Sequence, residues 1–458
     1  MFVGREKELK LIENNLKLDS LKCILVYGRR RIGKTELINE AIKSSKKEYL
    51  SLLARKVNLK INLFDFIEDT KTFIKQPGFN PSSFYDFFSA LLEYSKENPF
   101  ILFIDEFSFL MENDSSIDSS LQKALELHGK NSKITIILCG SYIDTMKELI
   151  EINSPLYGRF NEIIHLHVFD YYDSAKMYSN LSLEDKIKYY SVFGGVPFYI
   201  QKLDYNKPFE ENLIETFVSN ESFFENEINN VFNKEIQKEE NANSIFELIA
   251  SGVRKYKELN NDIGDASKDN IGRYIIKLEE LDLIKKSYQV NSKSERKPLY
   301  FINDNLLDFY YTYLFKNKRL RSIMDPYVFF EKYIKDDLYN KYIPRKFESI
   351  THEYLIRNNG KNEKVELFDN IGRLYYSDNK EINREYDCVI NTEKGLISFE
   401  CKFINKPVNL KIINEEIESF NSTPFKPYKY AFVSRSGYLD ETKGKENLIL
   451  LDLNDLYK

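Results

Sequence analysis

Tryptophan is missing from this chain, and histidine and cysteine number only four each. The missing tryptophan accompanies abundant Asn, Lys and Ile, the mark of an AT-rich genome, and excludes nothing about function. Cys23, Cys139, Cys388 and Cys401 each fall in an apolar, strand-like run, with no C-x-x-C and no regular spacing. That pattern excludes a disulfide framework and predicts buried thiols in a reducing cytoplasm. His128, His165, His167 and His352 do not combine with them into a zinc pattern. No run approaches the ~18 apolar residues of a membrane helix, and residues 1–6 contain no apolar signal core. The sequence therefore predicts a cytoplasmic protein with no membrane contact. A large charge of one sign is also missing: the net charge is −5, so any nucleic-acid contact must come from local basic surfaces.

What is present is a folded composition, 30% charged and 42% hydrophobic, over 458 residues, too many for one core and enough for about three domains. The organising stretch is Gly28-Arg29-Arg30-Arg31-Ile32-Gly33-Lys34-Thr35, between the apolar run Cys23–Tyr27 and a helical pattern from Thr35 to about Ile42. A strand that turns through glycines into a helix aims backbone N–H groups at an anion, which is the geometry of a P-loop. Residues 28–35 would then wrap the phosphates of ATP. Lys34 would reach the β- and γ-phosphates, and the Thr35 hydroxyl would hold Mg²⁺.

Further along, Tyr49–Leu53 reads as a strand, and residues 59–73 and 84–94 as helices. Phe100-Ile101-Leu102-Phe103-Ile104 is apolar on both faces, as a strand covered by helices on both sides would be, and it ends in Asp105-Glu106. Acids at the C-terminal end of such a strand stand where open α/β sheets bind ligands. This is a Walker B arrangement, with Asp105 serving Mg²⁺ and Glu106 polarising the attacking water. Ile134–Gly140 is another buried strand, ending at Ser141, where a side chain could sense the γ-phosphate.

Taken with Phe2-Val3-Gly4-Arg5-Glu6, Ser154-Pro155-Leu156-Tyr157-Gly158-Arg159-Phe160 and Gly194-Gly195-Val196-Pro197, these motifs resemble the archaeal-type ATPase family. That family lies within the AAA+/STAND group of P-loop NTPases, and the resemblance spans about residues 1–315. It implies that Arg159 is an arginine finger or sensor, and that residues 195–197 cap a helical lid packed on the nucleotide. Read without the resemblance, Gly158-Arg159 is a basic loop after a Pro turn.

Residues 170–243 read as mostly helical, rich in Tyr, Phe and acid. From Ser244 to Ile302 the helical patterns are followed by two short strands, residues 283–286 and 299–302, around a basic tip, which is a winged helix-turn-helix pattern. The span 285–297 holds five basic residues (Lys285, Lys286, Lys293, Arg296, Lys297) and one acid (Glu295), a local charge of +4. Lysines there suit DNA phosphates, or the wing packs on the ATPase core. Residues 316–321 read as a basic linker.

The last domain reads as a helix bearing Glu348, a strand at Gly372–Tyr376, a strand at Ile382–Ile390 carrying Asp387, and a strand at Gly395–Phe403. A two-residue period puts Ser398, Glu400 and Lys402 on one face of the last strand, and Ile397, Phe399, Cys401 and Phe403 on the other. The charged face is either solvated or a site. Asp387-x12-Glu400-Cys401-Lys402 resembles the PD-(D/E)XK nuclease core, in a domain like the one often fused to archaeal-type ATPases. The resemblance implies Mg²⁺ ligands at Asp387 and Glu400, with Glu348 completing the acidic shell and Lys402 orienting water. Two departures stand: Leu374-Tyr375 occupies the family's tryptophan pair, and no Pro precedes Asp387.

The expected fold class is α/β: a P-loop NTPase parallel sheet (1–168) with a helical lid (169–240), a winged helix-turn-helix (241–315) and a C-terminal α/β restriction-endonuclease-like domain (316–458). The expected function is a P-loop ATPase with ATP and Mg²⁺ as cofactors, coupled to a Mg²⁺-dependent nuclease-like domain. DNA and further copies of the chain are the expected partners. The alternative is a STAND-like ATP-dependent signalling switch whose inactive nuclease-like domain binds a partner.

Overall fold

The computed structural model describes residues 2–76, 78–113, 116–236, 239–263, 271–290, 298–377, 383–445 and 447–458, apart from the side chains of 113, 231–235, 239, 240, 377, 383 and 387. Two compact units emerge: Met1–Val168 with Val196–Phe198, and Phe169–Gly195 with Tyr199–Lys458.

In the first unit, strands β1 (Lys22–Tyr27), β2 (Tyr49–Leu53), β3 (Phe100–Asp105), β4 (Ile134–Gly140) and β5 (Glu162–His165) form one sheet in the order β2-β3-β4-β1-β5. Every neighbouring pair is parallel. The apolar runs explain the placement: β3 is buried as far as Asp105 and β4 throughout, while β2 at the edge alternates buried and exposed. Helix Lys34–Ser45 lays Leu37, Ile38, Ala41 and Ile42 on Ile24, Val26, Phe103 and Ile137, and Ile12 and Leu16 of helix Glu6–Leu16 join that layer. Each such side chain stabilises the fold by roughly 1.5–3 kcal/mol. Because β4 lies between β1 and β3, the P-loop and the acids of β3 face one another across a single strand.

The second unit holds the segments expected as a helical lid and a winged helix-turn-helix together with the C-terminal sheet. Helices Glu239–Ala250, Tyr256–Asp262 and Ile271–Glu280 precede an antiparallel hairpin of β6 (Ile284–Ser287) and β7 (Leu299–Ile302). Past β6, the chain lies along β8 (Asn370–Ser377): Val290 N–H donates to the Arg373 carbonyl at 2.9 Å. A Cβ at Gly372 would come within 2.5 Å of the Tyr288 carbonyl, so only glycine admits this approach. The basic stretch expected as a linker is also structural. Arg321, whose side chain is 1% exposed, donates to the carbonyls of Val218 and Ser219 and pairs with Glu225, because the turn ending at Val218 leaves carbonyls without helical partners.

The C-terminal sheet adds β9 (Asn383–Thr392), β10 (Gly395–Lys402), β11 (Lys429–Ser434) and β12 (Leu448–Asp452) in the order β12-β11-β10-β9-β8. The β8-β9-β10 meander is antiparallel, whereas β10-β11-β12 is parallel. Helix Ile343–Asn358 packs on the Cys401 and Phe403 side of β10, with the Phe347 and Phe403 rings 5.2 Å apart and the Cys401 thiol donating to Thr351. Helix Leu410–Asn421 covers the other side through Phe420, 4.2 Å from the Tyr386 ring.

Candidate functional site

The P-loop is shaped by glycines at two points. A Cβ on Gly28 would lie 2.2 Å from the Leu166 carbonyl, and Gly33 takes φ +88° where the loop enters its helix. The Lys34 ammonium, buried at the start of that helix, donates to the carbonyls of Gly28 at 2.9 Å and Arg29 at 2.8 Å, and so spans the loop it belongs to. These bonds hold the lysine where phosphate oxygens would draw it away. Ile32 is buried in the core and Arg29 is buried beside it in sequence.

Across β4, the Thr35 hydroxyl donates to Asp105 Oδ2 at 2.8 Å, and Ser141 Oγ donates to Glu106 Oε2 at 2.7 Å. Glu106 adopts φ +52°, a left-handed conformation that costs a non-glycine residue on the order of 1 kcal/mol. The turn is secured on both sides: Glu106 N–H donates to Asp105 Oδ1, and Phe107 N–H donates to the Cys139 carbonyl at 2.7 Å. Thr35, Asp105, Glu106 and Ser141, which lie far apart in sequence, thus meet at the P-loop. The Thr35 hydroxyl and the Asp105 carboxylate are hard oxygen donors of the kind that would suit Mg²⁺.

The remaining P-loop arginines point to aromatic partners that sequence spacing cannot reveal. Arg30 donates to the Tyr142 hydroxyl at 3.2 Å, and Arg31, at φ +69°, lies 4.3 Å from the centre of the Phe198 ring. Arg5, also left-handed at φ +63°, is buried and donates to the carbonyls of Ile32 and His167, which ties the Gly4-Arg5 turn to the loop. In the sequence it stands within the Phe2-Val3-Gly4-Arg5-Glu6 motif, which by itself gives it no role. Arg159 has a partner in its own unit: it pairs with Glu126 at the surface, with 42% of its side chain exposed, rather than joining the residues gathered at the P-loop. All four cysteines are free thiols, and burial pushes the Cys23 thiol up to about 12.

On the C-terminal sheet, Glu400 and Lys402 share a face as the period predicts. Lys402 donates to Glu400 at 2.9 Å and to Glu416 of helix Leu410–Asn421 at 2.6 Å. Glu416 carries no motif, and only the packing of its helix delivers it. Together the two carboxylates hold the Lys402 ammonium above its ordinary value despite its burial. The β9–β10 register ends at the pair Phe399 and Cys388, next to Glu400 and Asp387, where β9 also departs from regular pairing with β8; the Asp387 side chain lies outside the described residues.

Glu348 lies beside a hollow of its own. Its helix packs on the Cys401 and Phe403 side of β10, so Glu348 opens onto a different hollow from the one that Glu400 and Glu416 line. Of the wing lysines, Lys286 pairs with Glu279 at 2.7 Å, Lys285 faces the hollow that contains Glu348, and Lys293, Arg296 and Lys297 lie outside the described residues.

Residues 2–203 match an ATPase domain found predominantly in Archaea, and residues 310–417 match a family of archaeal and bacterial proteins of unknown function. An uncharacterized protein of Methanocaldococcus jannaschii is 29% identical over 384 residues, 82% of either chain. An uncharacterized ATP-binding protein of the same organism is 41% identical over 46 residues, 10% of this chain and 78% of that one. Among solved structures, the Walker-type ATPase of Pyrococcus abyssi is similar at a TM-score of 0.50 and 16% identity, over 68% of this chain and 96% of that one, a likeness of fold alone. Residues 2–203 are therefore similar to an ATPase domain found predominantly in Archaea, and they carry a P-loop.

Proposed function

We propose that the chain hydrolyses ATP with Mg²⁺ at the P-loop, and that the turnover governs a C-terminal domain that cleaves DNA. The observation that carries the first half is the convergence of the Thr35–Asp105 and Glu106–Ser141 hydrogen bonds at the P-loop. Lys34 leaves the carbonyls of Gly28 and Arg29 for the β- and γ-phosphates, and the N–H groups of residues 29–35 wrap the phosphate chain. Mg²⁺ at Thr35 and Asp105 supplies charge neutralisation on the phosphate oxygens. Glu106, steadied by Ser141, orients the attacking water and accepts its proton. Arg159, exposed at the surface, acts as a finger toward the γ-phosphate of a neighbouring copy.

The nuclease reading is supported by the shared face of Glu400 and Lys402 and by the backbone of Asp387, one residue N-terminal to Cys388, the partner of Phe399 at the end of the β9–β10 ladder. Here the two acids hold Mg²⁺ and Lys402 stabilises the developing charge on the phosphate. The helices before the β6–β7 hairpin form a winged helix that contacts DNA phosphates. A second reading is favoured by two observations: Lys402 is already bracketed by Glu400 and Glu416, and Glu348 opens elsewhere. In that reading ATP drives a switch, and the sheet is a partner-binding domain.

Two assays on the full chain separate these readings. Lys34→Ala abolishes Mg²⁺-dependent phosphate release from ATP; release at the unsubstituted rate contradicts the P-loop assignment. Linear, branched and single-stranded DNA are offered with ATP and Mg²⁺ or Mn²⁺, and cleavage disappears in Asp387→Ala while ATP turnover stays unchanged. Intact ATPase activity with no cleavage of any DNA hands the assignment to the switch.

A further inference from the structure

Outside both candidate sites, the second unit holds a hollow of about 220 Å³ between the β6–β7 hairpin, helix Ile343–Asn358 and the start of β8. That is room for roughly seven waters at ~30 Å³ each. Its wall gathers Arg254, Lys285, Arg345, Lys346 and Arg373, together with Lys286, which is taken up by Glu279. The acids there are Asp308, Glu348 and Glu353. Asp308 is shared by Arg345 at 2.9 Å and Lys346 at 2.6 Å, and Arg373 pairs with Glu385. Glu353 is raised to about 7 by burial, and it accepts from the Tyr171 N–H and the Tyr190 hydroxyl, both at 3.0 Å. It therefore brings less than a full negative charge to the wall near neutral pH.

Two of the cations have no ion pair among the described residues, while Glu348 adds one further carboxylate to the wall. Lys285 has neither a hydrogen bond nor an ion pair among the described residues. Arg254 lies 4.2 Å from the centre of the Phe301 ring, with Arg373 at 4.7 Å from the same ring, and its buried Nε has no partner among the described residues. Burial first, then the charges of Arg373 and Arg345, hold Arg254 below the ordinary arginine value. Burial, Lys285 and Arg373 likewise push His352 down to about 4, which leaves its imidazole neutral as a hydrogen-bonding group. Gathering like charges in a recess costs stability unless an anion offsets it.

We infer that this hollow is a binding site for a compact, multiply charged phosphate-bearing small molecule, held by Arg254, Lys285 and Arg373 and separate from the P-loop nucleotide. Guanidinium forks match phosphate oxygens in pairs, and the Lys285 ammonium adds a point charge. The recess favours a small ligand over a duplex, whose backbone would have to enter it.

The probe is inorganic tripolyphosphate titrated calorimetrically into the full chain. The unsubstituted chain binds two equivalents, and Lys34→Ala, which silences the P-loop, retains one. In the Lys34→Ala background, adding Lys285→Gln or Arg254→Gln weakens that equivalent roughly tenfold or more, since each removes a charge-assisted bond. Without ligand, Lys285→Gln melts no lower than its parent, because it removes a repelled charge. Loss of all binding in Lys34→Ala, equal binding after Lys285→Gln, or a lower melting point in Lys285→Gln overturns the inference. So does a single-stranded oligonucleotide that binds through Lys285 and Arg254 where tripolyphosphate does not, which assigns the surface to nucleic acid.

Discussion

The P-loop and the acid–lysine cluster on β10 both gather a lysine and acids near the end of a strand, yet the two lysines are held in opposite ways. Lys34 donates to two neutral carbonyls of its own loop, bonds that phosphate oxygens can replace. Lys402 rests between two carboxylates, so a cation entering there competes with an ammonium already in place. A site prepared for an anion and a cluster whose ammonium already sits between two carboxylates thus come from the same residue types. The difference lies in what surrounds the lysine.

The sharpest way to break that comparison is to change the partners of Lys402. If the cluster cuts DNA, Glu400→Gln loses cleavage by roughly a hundredfold to a thousandfold, as removal of one charge-stabilising group does. Glu416→Gln, which releases Lys402 from one carboxylate, keeps or raises the rate. Equal loss in both variants, read as the rate of DNA cleavage, makes Glu416 part of the machinery and erases the contrast drawn here.

A smaller effect is expected at Glu353, whose carboxyl is raised to about 7 by burial. A carboxyl with a raised folded value carries no penalty below its unfolded value of about 4.5. The penalty grows as pH climbs toward 7 and then stays constant at on the order of 3 kcal/mol. Glu353→Gln keeps an acceptor for the Tyr171 N–H and the Tyr190 hydroxyl. Urea unfolding should therefore find it more stable than its parent by about 1–3 kcal/mol at pH 8 and equal to it near pH 4.5. His352, lowered to about 4, has the opposite dependence between about 6.5 and 4, so the difference between variants is the readout rather than either curve alone. A stabilisation that is the same at both pH values contradicts the burial of that charge.

Much of the first unit was legible because its signals are local. Residues 28–35 carry their own glycines, lysine and threonine, and strands covered on both faces announce themselves as unbroken apolar runs, as β3 and β4 do. The meeting of Thr35 with Asp105 follows once β4 is known to lie between their strands. Legibility fails where a partner is supplied by packing. Glu416 reaches Lys402 only because Phe420 on the same helix packs against Tyr386, and nothing in the spacing of 400–416 marks it. The hollow that Glu348 lines was hidden for the same reason, since the side of β10 that its helix covers is fixed by the Phe347–Phe403 contact. Arg321 looked like part of a linker because composition cannot show that unpaired carbonyls await its guanidinium.

The central claim, that Glu106 activates water at the P-loop while Lys34, Thr35 and the loop backbone bind the nucleotide, is tested most directly by Glu106→Gln. Glutamine preserves the acceptor for Ser141 but cannot take the proton. With Mg²⁺-ATP, this variant is predicted to bind nucleotide with unchanged affinity and to release phosphate in a single turnover at least roughly a hundredfold more slowly than its parent. Single-turnover release at the unsubstituted rate would contradict the account.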